Sequence, residues 1–149
     1  MDNIYVVAEN QNAIKKALFH ISCDKMGGSI ANVQIFLIAS VAPNLYDLNI
    51  NVGDYVLVNS DIKDIFHVIP KNEATLITYG FNSRACITAS SITNDGIQVC
   101  IQRAFVGADN IVRHPQEFYV RLGYEESPEN VLAAAATLSV VGIHFHQDE

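Results

Sequence analysis

Residues 54–61, DYVLVNSD, and residues 74–82, ATLITYGFN, decide the fold of this chain. Each begins as an apolar run of strand length, Asp54–Asn59 and Ala74–Tyr79, and continues into small polar residues typical of a turn. Between them, large apolar side chains recur at helical spacing and predict a helix over Asp61–Ile69. Strand, helix and strand in this order indicate a parallel βαβ unit, whose strands are covered on both faces.

The same alternation precedes these two strands. Ile4–Ala8 and Val33–Val41 are predicted to be buried strands because both are rich in β-branched apolar residues. Apolar residues at helical spacing between them predict a helix, with Asn10–Asn12 as candidates for its N-cap. The unit ends at Met26-Gly27-Gly28.

The pattern changes after Gly80. Three strand-like segments follow without a helix between them: Ala85–Ile92, Ile97–Phe105 and Gln116–Leu122. The second and third alternate between apolar and polar residues. Asn94-Asp95-Gly96 predicts a hairpin turn. A closing helix is predicted through Val131–Val141, with Ser127 as its N-cap and Gly142 as its end.

These segments predict a single α/β domain over residues 1–149. The predicted sheet is short and mostly parallel, with about four strands flanked by helices. A three-stranded antiparallel subsheet and a terminal helix follow it. A sheet this short leaves edge strands exposed, and exposed edges are commonly covered or paired. We therefore expect a homodimer or a complex with a protein partner.

Charge and composition exclude several classes of function. Nine Lys and Arg against sixteen Asp and Glu give a net charge of −7, which disfavours binding to nucleic acid or anionic membranes. No apolar run approaches the ~20 residues of a transmembrane helix, and the first residues do not resemble a secretory signal. The three cysteines, Cys23, Cys86 and Cys100, form no zinc or disulfide pattern, and hairpin register places Cys86 near Arg103 or Phe105. We expect a cytoplasmic protein with free, mostly buried thiols.

Four segments, in order, resemble the latter part of the central ATP-binding domain of the Mur ligases, the UDP-N-acetylmuramoyl-peptide ligases. DYVLVNSD is similar to a strand that ends in Asn-Ala-Asp-Asp in that family, and ATLITYGFN to its Tyr-Gly strand. ACITASSI at residues 85–92 and RLGYEESPENVLAAAATLSVVGI at residues 121–143 are similar to the strand and the alanine-rich ending that follow. The resemblance covers roughly residues 54–143, with a weaker match at Leu37–Val41.

The departures from the family matter more than the matches. Mur ligases form an acyl phosphate with ATP, which needs a glycine-rich loop ending in Lys-Ser/Thr. Here Ile4–Ala8 runs into Glu9-Asn10-Gln11-Asn12, without glycine or lysine, and Ala42-Pro43-Asn44 replaces the family's Asp-His motif. The C-terminal ligase domain is also expected to be missing. We therefore expect no catalytic residues, no cofactor and no ATP turnover.

Few single residues remain as site candidates. The resemblance implies that Asn130 corresponds to an asparagine that approaches adenine, although an ordinary position in the first turn of a helix explains it equally well. His144 and His146 could bind a metal, or belong to a polar tail. Ser60-Asp61 and Ser90-Ser91 have no histidine in a nucleophile-elbow pattern, which gives a hydrolase triad no support.

Three functional hypotheses follow. The leading one is a non-catalytic Mur-ligase-like module that binds a protein partner or a small ligand. The second is a subunit of a two-chain ligase whose P-loop is supplied by another protein. The third is an unrelated regulatory domain that binds a small molecule.

Overall fold

The computed structural model describes residues 3–23 and 33–142. Nine strands occur in these ranges: β1 (Ile4–Val7), β2 (Ile35–Ile38), β3 (Tyr55–Asn59), β4 (Thr75–Tyr79), β5 (Ile87–Ile92), β6 (Gly96–Ile101), β7 (Phe105–Val106), β8 (Val112–Arg113) and β9 (Gln116–Arg121). Seven of them form one mostly parallel sheet in the order β1–β2–β3–β4–β5–β6–β9, and β7 pairs with β8 in a separate antiparallel ribbon.

The first four strands of the sheet are parallel and follow one another in chain order. β5 continues this direction through a single pairing of Tyr79 with Ile87. β6 and β9 then add as antiparallel strands, and the β5–β6 hairpin contains an irregularity between Ala89 and Ser91. The predicted α/β class and three antiparallel strands are therefore confirmed, but these strands extend the parallel sheet and do not form a separate subsheet.

Helices cover the two faces of the sheet. They are α1 (Gln11–Cys23), a 3-10 helix (Pro43–Asp47), α2 (Ile65–Val68) and α3 (Pro128–Val141). α1 and α3 pack on one face, where Leu37, Leu57 and Ile77 belong to the larger core. The 3-10 helix and α2 cover the other face over β2 and β3, around Ile38 and Val58. No helix in the described ranges is long and apolar enough to span a bilayer.

The predicted helix over Asp61–Ile69 is wrong in its extent. Only Ile65–Val68 is helical, and Phe66, one of the large apolar residues at helical spacing in this segment, is 52% exposed. Asp64 precedes the helix in the left-handed conformation, which ends any regular helix on its N-terminal side. The Asp61 carboxylate is bonded to the loop after β4 instead.

Two predicted strands are also shorter than expected. Val33–Val41 contains only β2, and the chain turns into the 3-10 helix at Pro43. Ile97–Phe105 splits into β6 and β7, because the chain leaves the β5 ladder after Ile101. The hairpin turn at Asn94-Asp95-Gly96 is confirmed, since β5 and β6 pair across it.

α3 is the central helix of the molecule. Ten consecutive residues from Val131 to Val140 are buried, which is typical of a helix covered on every side. The predicted ends are confirmed: Ser127 Oγ accepts a hydrogen bond from the Asn130 amide, and Gly142 adopts a left-handed conformation and donates to the Leu138 carbonyl.

An ion pair closes the C-terminal end of α3. Arg113, at the end of β8, is only 4% exposed. Its Nε donates to the Ser139 carbonyl at 2.9 Å, its Nη1 to the Ile111 carbonyl at 3.1 Å and its Nη2 to Asp109 Oδ2 at 2.8 Å. The guanidinium thus satisfies one of the carbonyls that a helix leaves without an internal partner.

Candidate ligand site at the carboxyl edge of the parallel sheet

Polar side chains gather where β2, β3 and β4 end. Ser40 lies just after β2. Asn59 is the last residue of β3, and Ser60 and Asp61 lie in the turn that follows it. Asn82 lies just after β4. Because these strands are parallel neighbours, their carboxyl ends meet at one edge of the sheet. Open α/β sheets bind ligands outside the carboxyl ends of their strands, at a point where the strand order reverses. β1 to β4 follow one another without a reversal, so the polar side chains, and not the strand order, mark this edge. This edge is therefore the candidate site, and we call these five residues the carboxyl-edge cluster.

Asp61 organises the loop that follows β4. Its Oδ2 accepts a hydrogen bond from the Phe81 amide at 2.7 Å. Its Oδ1 accepts from the Asn82 amide at 3.0 Å and from Asn82 Nδ2 at 2.7 Å. Hydrogen bonds to an ionised carboxylate are among the stronger ones in proteins. The loop is consequently fixed against the end of β3.

Asn59 and Ser60 connect this loop to the neighbouring strands. Asn59 Nδ2 donates to the Ala39 carbonyl at 3.2 Å, and its Oδ1 accepts from the Asp61 amide at 3.0 Å. Ser60 Oγ accepts from Asn82 Nδ2 at 2.9 Å and donates to the Tyr79 carbonyl at 3.3 Å. The polar groups of three strands therefore hold one another in a fixed arrangement before any ligand arrives, which lowers the entropic cost of binding.

The start of α1 belongs to the same edge. The Glu9 amide, just after β1, donates to Ser40 Oγ at 2.8 Å. Asn10 Oδ1 accepts from the Ala13 amide at 3.1 Å and caps the helix, as the sequence predicted. Glu9 and Asn10 are both exposed.

The chemistry available at this edge is hydrogen bonding. Asp61 is exposed and already accepts three hydrogen bonds, and its carboxylate can accept a further donor from a ligand. Tyr79 lies beneath it, and burial, followed by the Asp61 charge, raises the pKa of the Tyr79 phenol above its ordinary range. This phenol therefore stays protonated. Within residues 3–23 and 33–142, no group of three His, Cys, Asp or Glu side chains could hold a metal ion.

The residues predicted as site candidates lie elsewhere or cannot be placed. Asn130 is half-buried in the first turn of α3, where its amide donates to Ser127 Oγ at 3.3 Å. No hydrogen bond within the described residues joins it to the carboxyl-edge cluster. His144 and His146 lie outside the described residues.

The described cysteines have the environment of structural thiols. Cys86 Sγ donates to the Arg103 carbonyl at 3.4 Å, which confirms the predicted proximity to Arg103. Burial raises the pKa of Cys86, with Arg103 opposing it, and burial and Glu117 raise the pKa of Cys100. Raised pKa values disfavour the reactive thiolate. Cys100 and Cys86 are both free.

A second polar contact joins α1 to the segment before α3. His20 Nδ1 lies 3.1 Å from Glu126 Oε1, which also accepts from the Gly123 amide. The Glu126 side chain is only 8% exposed, and within the described part of the chain its Oε2 has no hydrogen-bond partner. Glu126 thus fixes the loop that leads into α3 through Oε1.

Sequence reasoning did not single out the carboxyl-edge cluster as a site. The available signal was that Asn-Ser-Asp and Gly-Phe-Asn follow two successive predicted parallel strands, whose ends must be neighbours. Asp109 and Arg113 carried no comparable signal, because their pairing depends on where the end of α3 lies.

The fold and the carboxyl-edge cluster together define an α/β domain with a preorganised polar site. No known family model matches the chain, and no curated protein is significantly similar to it.

Proposed function

We propose that this chain is a non-catalytic Mur-ligase-like binding module that holds a small ligand at the carboxyl edge of its parallel sheet without turning over ATP. One observation carries the proposal: the exposed Asp61 carboxylate accepts three hydrogen bonds from the loop after β4, at the carboxyl edge of the parallel strands. A carboxylate held in this way positions a loop and a ligand.

The composition of the edge supports a ligand that donates hydrogen bonds. Asp61 supplies an exposed carboxylate, and Asn82 and Ser60 add an amide and a hydroxyl beside it. Arg84 donates to Asn82 Oδ1 only through its backbone amide, and no Lys or Arg side chain of residues 3–23 and 33–142 takes part in the hydrogen bonds of the carboxyl-edge cluster. This arrangement does not favour a triphosphate, which enzymes hold with cationic side chains. Hydroxyl or amino groups of a small metabolite are the better complement to this site.

A direct test uses the protein purified from its own cytosol. Native mass spectrometry under gentle conditions is expected to detect a co-purifying small molecule that is retained by the wild type and lost from Asp61→Asn. Asp95→Asn is the matched control, because it makes the same chemical change in the exposed turn between β5 and β6, outside the carboxyl-edge cluster. In parallel, phosphate release from Mg·ATP is expected to stay at the rate without protein. Robust ATP hydrolysis by the pure chain would refute the proposal.

A second candidate is the ligase subunit whose P-loop comes from another protein. It is favoured by the position of β1, which is an edge strand of the parallel part of the sheet and could be followed by a strand of another chain. This candidate predicts ATP turnover only after a P-loop protein is added. Turnover that appears on mixing, and disappears with Asp61→Asn, would select it over the leading proposal.

A further inference from the structure

A cleft lies between β1 and α1, on the face of the sheet that α1 covers. It encloses about 260 Å³. One wall is a stripe of α1 at positions i, i+3, i+4 and i+7, formed by Lys15, Leu18, Phe19 and Ser22. The other wall is formed by the β1 side chains of Ile4 and Val6, which point to the same face of the sheet. The cleft therefore runs along the edge strand as a groove, which we call the β1 groove.

The backbone of β1 is open beside this groove. The Asn3 and Val7 carbonyls accept hydrogen bonds from the Ile35 and Ala39 amides of the β2 side. Since backbone groups alternate along a strand, those of Ile4 and Val6 point away from β2. Asn44 Nδ2 reaches the Val6 carbonyl at 3.3 Å. Among the described residues, no hydrogen bond reaches the outward amides of Ile4 and Val6 or the Ile4 carbonyl.

The groove carries one cation above an apolar floor. Among residues 3–23 and 33–142, Lys15 is the only charged residue that lines the groove, and it forms no ion pair with any of them. Phe19 is 70% exposed, so its ring is open to a partner. The Ser22 hydroxyl donates to the Phe19 carbonyl and can still accept a hydrogen bond. An apolar floor with an unpaired ammonium group complements an occupant that is both apolar and anionic.

We propose that the β1 groove binds an extended segment of a partner protein, which adds to the sheet beside β1 and places a carboxylate against Lys15. Strand addition uses main-chain hydrogen bonds for affinity and alternate side chains for specificity. Every second side chain of the segment would enter the groove against Leu18 and Phe19. Because Asn44 occupies the Val6 carbonyl, the pairing is expected at Ile4 and the Val6 amide.

The charges argue against a second copy of this chain as the occupant. Neither β1 (IYVV) nor α1 (QNAIKKALFHISC) contains an acidic residue. A symmetric pairing of two β1 edges would place Lys15 of both copies at the same edge, with no carboxylate from these elements. An acidic segment of another protein removes this repulsion. The inference does not depend on the carboxyl-edge cluster or on the proposed function.

The test is selection from a random-peptide phage library on the immobilised protein, followed by binding of the enriched synthetic peptides. The expected peptides alternate β-branched or aromatic residues and contain Asp or Glu. Lys15→Glu is expected to weaken their binding by about fivefold to tenfold, since it replaces attraction by repulsion at a partly exposed pair. Lys16→Glu makes the same change of charge on the neighbouring residue of α1, outside the groove, and is expected to leave binding within about twofold.

Amide hydrogen exchange adds a readout that a general surface effect would not produce. Bound peptide is expected to slow exchange at the Ile4 and Val6 amides, whereas the Tyr5 and Val7 amides, which face β2, are expected to change little. The proposal is overturned if no peptide is enriched, if Lys15→Glu and Lys16→Glu bind alike, or if the alternating protection is absent. Protection of Ile4 and Val6 that rises with protein concentration alone would overturn it in favour of a homodimer.

Discussion

A Cβ atom on Gly80 would lie 2.7 Å from Asp61 Oδ1, so the carboxylate occupies the space that any other residue at position 80 would fill. Gly80 also has φ +152, which side chains rarely adopt. The absence of a side chain therefore allows Asp61 to reach the Phe81 and Asn82 amides. The geometry of the candidate site depends on this pair.

Gly80→Ala is expected to lower the free energy of unfolding by about 2–3 kcal/mol, because it adds backbone strain and displaces the hydrogen-bonded carboxylate. Gly53→Ala is the matched control: it also has a positive φ, but nothing lies within 4 Å of its added Cβ. Its cost should be about 1 kcal/mol. Urea denaturation measures both changes.

Asp61→Ala provides the second half of a double-mutant cycle with Gly80→Ala. If the steric contact is real, Gly80→Ala should cost less in the Asp61→Ala background, by about 1 kcal/mol or more. Strict additivity of the two substitutions would mean that Gly80 and Asp61 act independently, which contradicts the account of this loop.

Arg113→Ala is expected to destabilise the chain by about 3–5 kcal/mol, because it leaves the Asp109 carboxylate without its cation and the Ser139 carbonyl without its donor. Arg113→Lys should cost less than Arg113→Ala, because it retains the positive charge beside Asp109. It should still destabilise the chain, because lysine cannot make the three contacts of the guanidinium. Arg121→Ala, at an exposed position on β9, is the control and should change stability by no more than about 0.5 kcal/mol. Equal effects of Arg113→Ala and Arg121→Ala in urea denaturation would contradict a structural role for the buried pair.

The Asp109–Arg113 pair also predicts a pH dependence. Burial alone would raise the pKa of Asp109, but the hydrogen bonds and charge of Arg113 and the Ile111 amide bring the pKa below 3.8 in the folded chain. A lowered folded pKa gives stability that is present above the unfolded value and lost as pH falls through the folded pKa. The stability difference between wild type and Asp109→Asn should therefore be constant above about pH 5 and shrink below about pH 4. Thermal denaturation across this range measures it, and a difference that grows on acidification would contradict the assignment.

Glu126 predicts a contrast between two substitutions. Glu126→Gln can keep the oxygen that accepts from His20 and Gly123, and it removes a charge whose other oxygen has no hydrogen-bond partner among residues 3–23 and 33–142. It should be neutral to within about 0.5 kcal/mol or stabilising at pH 8. Glu126→Ala leaves the Gly123 amide without its acceptor and should cost about 1–2 kcal/mol. If urea denaturation shows that Glu126→Gln and Glu126→Ala are equally destabilised, the negative charge of Glu126 is itself required for stability.

The local parts of the fold were predictable because their signals lie within a few residues of one another. Ser127 and Gly142 mark the ends of α3 through capping that sequence patterns specify directly. The Asn94-Asp95-Gly96 turn fixed the β5–β6 hairpin in the same way. The parallel strands were recognisable as continuous apolar runs.

The remaining parts depend on contacts between distant residues. Asp61 was assigned to a helix by periodicity, but its carboxylate binds a loop twenty residues later, and the helix begins only at Ile65. The β7–β8 ribbon depends on Arg113 meeting the end of α3, 26 residues away from it in sequence. Such partners are selected by strand order and helix packing, which single-sequence periodicity does not specify.

The most direct measurement of the central claim is a ¹⁵N–¹H NMR titration of the chain with the low-molecular-mass fraction of a lysate of the cells that produce it. We predict chemical-shift changes confined to the amides around Ser40, Asn59–Asp61 and Gly80–Asn82, which vanish in Asp61→Asn and persist in Asp95→Asn. Shifts located elsewhere, or unchanged in Asp61→Asn, would contradict a ligand site at the carboxyl edge.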